Sequence, residues 1–315
     1  VFGKQTGKAY SSYSAYKTNC CNFINTLIAG SVFLFMMEKE EISPLATDII
    51  PGKECAVLEM ADGRKVELGL GKNLGQLQLE GTVVTNDSNR LAYKQNHSGN
   101  PSTLEYNTII IPRGGEYQLI LSDGSRVWLN SDTRLRYPVS FIGEKREVYL
   151  EGEAYFEVHH DPSCPFYVKT ASLDVKVLGT SFNVKAYDDM DVVETSLVEG
   201  VVSVKDNVLR PNMQAVFDKN TGNFSYREIN GDNYRLRKER VFVFENERLD
   251  DILQEMARWY DFDIFYQNSD MADKQFGLKL EKYEHVDSLL KMLELTGEVK
   301  FSMKGRILTV MSGSE

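Results

Sequence analysis

The sequence predicts a mainly β protein: a many-stranded all-β stretch built of hairpins, then a small α+β module, both placed after one N-terminal transmembrane helix. Three observations predict it. Short alternating runs of β-branched and aromatic residues, punctuated by Gly or Asp-Gly, fill the chain from about residue 42 to 230 without a helical period. After residue 240 the apolar spacing turns helical twice. Ahead of both, residues 20–37, "CCNFINTLIAGSVFLFMM", run for eighteen positions without a charge, just enough to cross a bilayer as a helix.

The anchor comes first in chain order. Lys4, Lys8 and Lys17 precede it with no acid among them, and "EKEE" follows it. Positive charge is retained on the cytoplasmic side, so residues 1–19 are expected inside and everything after residue 38 outside. "FLFMMEKEE" offers no small-residue cleavage site, which favours an uncleaved single-pass anchor over a signal peptide. The expected division is therefore a short cytoplasmic N-terminus (1–19), an anchor (20–37), an all-β domain (42–235) and an α+β module (236–315).

The all-β domain repeats itself. "PGKECAVLEMADGRKVEL" (51–68) aligns with "PRGGEYQLILSDGSRVWL" (112–129), with Leu58 matching Leu119, Asp62-Gly63 matching Asp123-Gly124, and Val66 matching Val127. Each copy reads as a hairpin whose Asp-Gly supplies the positive φ of a tight turn. Between them "TNDSNRLAYKQNHSGNPST" (85–103) is polar and reads as an exposed loop. In "REVYLEGEAYFEVHHDP" side chains alternate across a strand. Val148, Leu150, Gly152, Ala154, Phe156 and Val158 share one face, and Tyr149, Glu151, Glu153, Tyr155, Glu157 and His159 the other. Carboxylates two apart on a strand lie about 7 Å from each other, which suits a glycosidase pair but is true of any strand. The stretch reads as architecture.

The module reads as β-α-β-β-α-β-β, a sheet with two helices on one face. Its first helix carries Leu249, Ile252, Leu253, Met256 and Trp259 on one side. The second carries Val286, Leu289, Leu290 and Leu293 and stops at Gly297. "RLRKER" (235–240) before it reads as a solvated linker.

Chemistry-bearing patterns are sparse. A net charge of −10 argues against nucleic acid as a partner. The four cysteines lack zinc spacing, and a Cys55–Cys164 disulfide is open if the domain lies outside the cytoplasm. Glu157 and His159 face the same way but find no third ligand, so no metal is expected. No nucleophile elbow, HExxH, P-loop or dinucleotide fingerprint is present, so neither an enzyme nor a cofactor is expected.

Together, "LSDGSRVWLNSDTRLRYPVSF", "REVYLEGEAYFEV", "PFYV", "VKVLGTSFNVKAY" and "TSLVEGVVSV" resemble the FecR family of membrane-anchored anti-sigma regulators of Gram-negative bacteria. The tail "FVFENERLDDILQEMARWYDFDIFY … LLKMLELTGEVKF" is similar to the C-terminal module of Bacteroidetes-type members, which looks like a secretin/TonB short domain. The resemblance implies a twisted, β-solenoid or sandwich-like periplasmic domain on an inner-membrane anchor, with the N-terminus cytoplasmic. It implies a relay in cell-surface signalling, from the signalling domain of a TonB-dependent outer-membrane transducer to an ECF sigma factor, by protein contact. Members carry a helical sigma-binding segment before the span. Here only "VFGKQTGKAYSSYSAYKTN" stands there, so sigma-factor contact is expected only if such a segment precedes it. The tryptophan often found before "FVFEN" is also replaced, by Arg240 and Val241. Some members are cut in the motif that stands here as "VLGTSF", where the Thr180 hydroxyl could attack the Gly179 carbonyl in an N–O acyl shift.

Two readings of the aromatic residues stay open. Phe242, Phe244, Phe262, Phe265 and Tyr266 either present a sheet edge to a partner or fill the module's own core. The alternative function is a periplasmic glycan-binding all-β protein in which residues such as Trp128 stack on sugars.

Overall fold

In the computed structural model, which describes residues 49–69, 76–79, 82–87, 90–95, 104–205 and 207–313, hairpins shuttle between two face-to-face β layers. β1 (Lys53–Glu59) and β2 (Lys65–Gly69) lie in the first layer. β3 (Gln76–Leu79), β4 (Thr82–Asp87) and β5 (Arg90–Gln95) lie in the second. β6 (Tyr106–Ile111) returns to the first, β7 (Gly115–Ile120) and β8 (Arg126–Leu129) to the second, and β9 (Thr133–Pro138) to the first again. After β10 (Arg146–Glu157) the alternation continues. β11 (Phe166–Lys169) and β12 (Asp174–Val177) are in the first layer, β13 (Ser181–Ala186) and β14 (Val192–Glu199) in the second. β15 (Val202–Val204) and β16 (Asn207–Leu209) go back to the first, and β17 (Met213–Asp218) and β18 (Phe224–Glu228) to the second. This zigzag is the twisted, sandwich-like architecture expected from the sequence.

β10 belongs to both layers. Its first half pairs with β9 and β11, and its second half with β8 and β13. The change of partners falls at Gly152, whose φ is 111° and where a Cβ would lie 2.5 Å from Thr133 Oγ1. Only glycine turns this corner. The core between the layers is apolar on both sides: Leu58, Ile109, Leu135 and Val148 meet Leu119, Val127, Phe156 and Phe182, all fully buried. Phe156 stacks on Phe182 with centroids 5.1 Å apart.

The repeat is structural. Leu58 pairs with Val66 in one hairpin, and Leu119 with Val127 in the other. In each turn the glycine N–H donates three residues back, Gly63 to Met60 and Gly124 to Leu121, both at 2.9 Å. Their φ values are 84° and 85°, and Asp62 and Asp123 each accept from the N–H two residues on at 3.0 Å. This is a type I turn closed by a left-handed glycine.

Two expectations fail here. Residues 85–103 are not simply a loop: β4 ends and β5 runs within them, burying Leu91 and Tyr93. Tyr93 is polar enough to read as loop, yet its hydroxyl joins a buried network with Asn107 and Tyr137, at 2.7 and 2.9 Å. Nor is "RLRKER" a plain linker, because helix α1 (Gly231–Lys238) covers its first four residues.

β19 (Val241–Arg248), α2 (Leu249–Tyr260), β20 (Asp263–Tyr266), β21 (Gln275–Glu281), α3 (Val286–Glu294), β22 (Val299–Lys304) and β23 (Ile307–Ser312) follow in the order read from the sequence. They form two sheets rather than the expected one. β19 pairs only with β21, while β20 runs parallel to β23, which pairs with β22. α2 buries Leu249, Ile252, Leu253, Met256 and Trp259, and it ends where Asp261 turns left-handed at φ 54°. Residues 46–315 form one compact unit. The expected anchor at 20–37 lies outside the described residues, and among these no helix is long and apolar enough to span a membrane.

Candidate functional site

The polar face of β10 meets solvent only in its first half: Tyr149 and Glu151 are exposed, whereas Glu153 and Tyr155 are buried. Across the second layer, strand register lines up Gln118, Trp128, Tyr155, Asn183, Ser196, Gln214 and Arg227 as successive cross-strand neighbours. Beside this row Glu153 faces Lys185, which faces Glu194. The α+β module lies over this band, so Glu153, Asn183, Ser196 and Gln214 are buried despite their polarity.

Burying such groups without partners would cost several kcal/mol each, of order 2–7. They have partners. Asn183 Nδ2 donates to Glu153 Oε1 at 2.9 Å, and Gln214 Nε2 to Ser196 Oγ at 2.9 Å. Ser196 Oγ donates in turn to the Tyr234 hydroxyl of α1 at 2.8 Å. Arg227 donates to Gln214 Oε1.

Three cations clamp the module to the layers. Arg258 of α2, almost wholly buried, donates through Nη2 to both oxygens of Asp189 at 2.7 Å and lies 3.9 Å over the Tyr187 ring. Arg113, just before β7, caps the end of α2. It donates to Ala257 O at 3.0 Å, to Phe262 O at 2.5 Å and to Asp261 Oδ1 at 2.9 Å. Lys282, buried, donates to Glu116 Oε2 at 3.1 Å and to Asn130 Oδ1 at 3.4 Å. Its ammonium lies 4.9 Å from the Trp259 ring. Trp259 itself donates to Lys282 O at 2.7 Å and covers Gly52, where a Cβ would come within 2.6 Å of the indole.

The seam shifts its carboxyl groups in opposite directions. Burial alone would raise Glu116, but Lys282, the Tyr283 hydroxyl and Arg240 outweigh it and hold the group below the usual glutamate value. At Glu194 burial wins over Lys185 and Arg227, helped by Asp251 and Glu247, and the carboxyl sits above its usual value. Beneath α1, a cavity of about 200 Å³ remains at the β7–β8–β10 end of the band.

The residues singled out in the sequence scatter. Phe242, Phe244 and Phe262 are buried and fill the module's core, whereas Phe265 is 58% exposed. Tyr266 is half-buried, and its hydroxyl donates to Asp250 at 3.0 Å. On the same sheet Ile307, which pairs with Asp263 and so lies diagonal to Phe265, is 51% exposed. The Gly179–Thr180 peptide is enclosed. A Cβ on Gly179 would meet His160 at 2.5 Å, and Thr180 Oγ1 donates to Val201 O at 2.9 Å. Cys55 and Cys164 are free thiols, so the disulfide left open by the sequence is not formed. No group of metal-ligating side chains converges among the described residues. The clamp was invisible in the sequence: Arg258 and Asp189 are 69 positions apart, and the helical pattern that contains Arg258 says nothing of its partner.

The chain matches the family model for FecR protein over residues 107–203 and that for FecR, C-terminal, over residues 241–310. It is also similar to two crystal structures, at 1.65 and 2.50 Å resolution, of a proposed anti-sigma factor from Parabacteroides distasonis ATCC 8503. Each is 27% identical with a TM-score of 0.61, and the match covers 66% of this chain and 99% and 100% of those chains. No curated protein matches it.

Proposed function

The chain belongs to the FecR family and acts as a sigma-regulating signal relay; from that premise we propose that it carries the state of a TonB-dependent outer-membrane transducer to an ECF sigma factor. In this reading residues 20–37 anchor the protein in the inner membrane, the N-terminus faces the cytoplasm, and the bulk of the chain is periplasmic. The work is done by protein contact rather than by catalysis.

One observation carries the assignment of the receiving surface. β20 is an edge strand of the three-stranded sheet, and it presents Phe265 to solvent, with exposed Ile307 of β23 diagonal to it. An unpaired edge flanked by exposed apolar side chains suits strand addition, in which main-chain pairing supplies affinity and side chains supply choice. The aromatic residues of β19 cannot serve, because they are core. A partner gripping β20 would act on a module held to the β layers by Arg113, Arg258 and Lys282, so its pull is not absorbed by a loose hinge.

The test is a sigma-dependent reporter in cells carrying the full chain. Phe265→Asp with Ile307→Asp should abolish the response to the transducer while leaving the amount of membrane-bound protein unchanged. A wild-type response from the double variant would remove β20 as the receiving edge. Recovery of the chain from the freely dissolved cytoplasmic fraction would sink the relay reading itself.

A further inference from the structure

We propose that the cavity beneath α1 is a binding site for a single neutral sugar ring. Its volume of about 200 Å³ falls below the roughly 300 Å³ where pockets for drug-sized ligands begin. That leaves room for one small ring within the walls.

The walls supply what a sugar requires. One side is aromatic: Trp128 and Tyr155, opposite each other on β8 and β10, meet edge to face with centroids 5.9 Å apart. An aromatic surface of this kind takes the C–H face of a pyranose. Three planar amides also line it: Gln118, whose side chain both donates and accepts, Asn130, whose Oδ1 accepts from Lys282, and Asn183, whose Nδ2 donates to Glu153. Neither the Trp128 indole N–H nor the Gln118 amide is hydrogen-bonded to a described residue, and neither is sealed from solvent. These two polar groups can engage a ligand, whereas the rings already carry cations: the Lys238 ammonium lies 5.1 Å from Trp128 and 5.4 Å from Tyr155, and Arg126 lies 5.9 Å from Trp128, so a sugar stacks only on ring surface these leave or yield.

The charges decide between a neutral ligand and an ion. Three cations border the cavity, and each already has a carboxylate. Lys282 has Glu116 at 3.1 Å, Lys238 has Glu157 at 2.5 Å, and Arg240 is paired with Glu54. An anion would meet cations whose charge is already neutralised, and a cation would meet carboxylates that are already paired. A neutral polyol needs neither. Trp128 is half-buried, and the only other tryptophan, Trp259, is buried with its N–H already used.

The site has a mechanical corollary. Tyr234 and Lys238 line the cavity from α1, the helix that joins the β layers to the module. A bound ring would touch both sheet and connector, and would stabilise the docked state by mass action. The inference does not depend on the transducer reading.

The experiment is a titration of the full chain with D-glucose, D-galactose, D-mannose and N-acetyl-D-glucosamine separately at millimolar concentrations, with D-glucuronate as the charged comparator. Tryptophan fluorescence and the thermal midpoint are read together. At least one neutral sugar should give a saturable fluorescence change and a higher midpoint, and glucuronate should give neither. Trp128→Leu should abolish the fluorescence change. Gln118→Ala, a milder substitution that keeps the fold testable should Trp128→Leu unfold, should weaken binding about tenfold. No saturable response to any neutral sugar, a response unchanged in both variants, or binding of glucuronate alone would each overturn the proposal.

Discussion

Removing the exposed partner of the Arg258–Asp189 pair should cost more than removing the buried one. Arg258 is 4% exposed and Asp189 63% exposed as side chains. Asp189→Ala strands a guanidinium inside the seam, where its Nε already lacks a partner. Breaking a buried pair in this way costs about 3–5 kcal/mol. Here Asp132, 4.0 Å from Arg258 Nε, offers partial compensation, and water reaches the vacated site, so the expected loss is about 2 kcal/mol. Arg258→Met keeps the apolar stem against Tyr187, deletes the charge, and leaves only a solvated aspartate behind. Its cost should be about 1 kcal/mol, mostly the lost cation–π contact. In the double variant the loss should match that of Arg258→Met alone, giving a coupling energy of about 2 kcal/mol. Urea unfolding of the full chain and its variants, followed by circular dichroism and by tryptophan fluorescence, measures all four corners. An Arg258→Met cost exceeding that of Asp189→Ala by 1 kcal/mol or more would refute the reasoning, since it would mean that the buried charge is itself the source of stability (a threshold set by the usual error of such cycles).

Three other substitutions probe separate parts of the seam and the sandwich. Gly52→Ala drives a methyl group to within 2.6 Å of the Trp259 ring and should destabilise docking by about 1–3 kcal/mol, read as an earlier shift in tryptophan emission on heating. Glu194→Gln tests the raised carboxyl. Because its folded pKa lies above its unfolded one, wild type loses stability as pH rises from the ordinary glutamate value through the raised one. The variant should therefore unfold at a higher temperature than wild type at neutral pH, with the gap closing below about pH 4.5. Thr180→Ala removes the hydrogen bond to Val201 and should cost about 1 kcal/mol. It should also abolish any fragments seen on a denaturing gel of the wild type, whereas a single full-length wild-type band would end the self-cleavage idea.

What was legible in the sequence is what local chemistry dictates. Asp62-Gly63 and Asp123-Gly124 announced two equivalent hairpins because their turn demands a left-handed residue at one fixed place. The apolar spacing of Leu249 to Trp259 located α2 because helical period survives any tertiary context. The alternation in β10 correctly separated Phe156 from Glu153, but it could not say that a second body would cover the polar side. Nor could it show that Gly152 marks a change of layer, since nothing local distinguishes a corner glycine from one that merely interrupts a strand. α1 escaped because it is held by Tyr234 and Lys238, through a hydroxyl and an ammonium, rather than by an apolar stripe. Of the five aromatic candidates, three turned inward because a small module has little apolar volume to spare.

The module that closes the chain sits against the strand that opens the described unit: Gly52 lies under Trp259, Glu54 pairs with Arg240, and Lys53 N–H donates to Gly114 O, while Gly114 N–H reaches Arg258 O. The last eighty or so residues thus meet residues 52–54, at the start of the first of the eighteen strands, through a handful of adjacent contacts, a short route beside the clamps to Asp189 and Glu116. A lesion deep inside the sandwich should leave these rim contacts intact so long as β1 and the Asp189 and Glu116 attachments keep their shape.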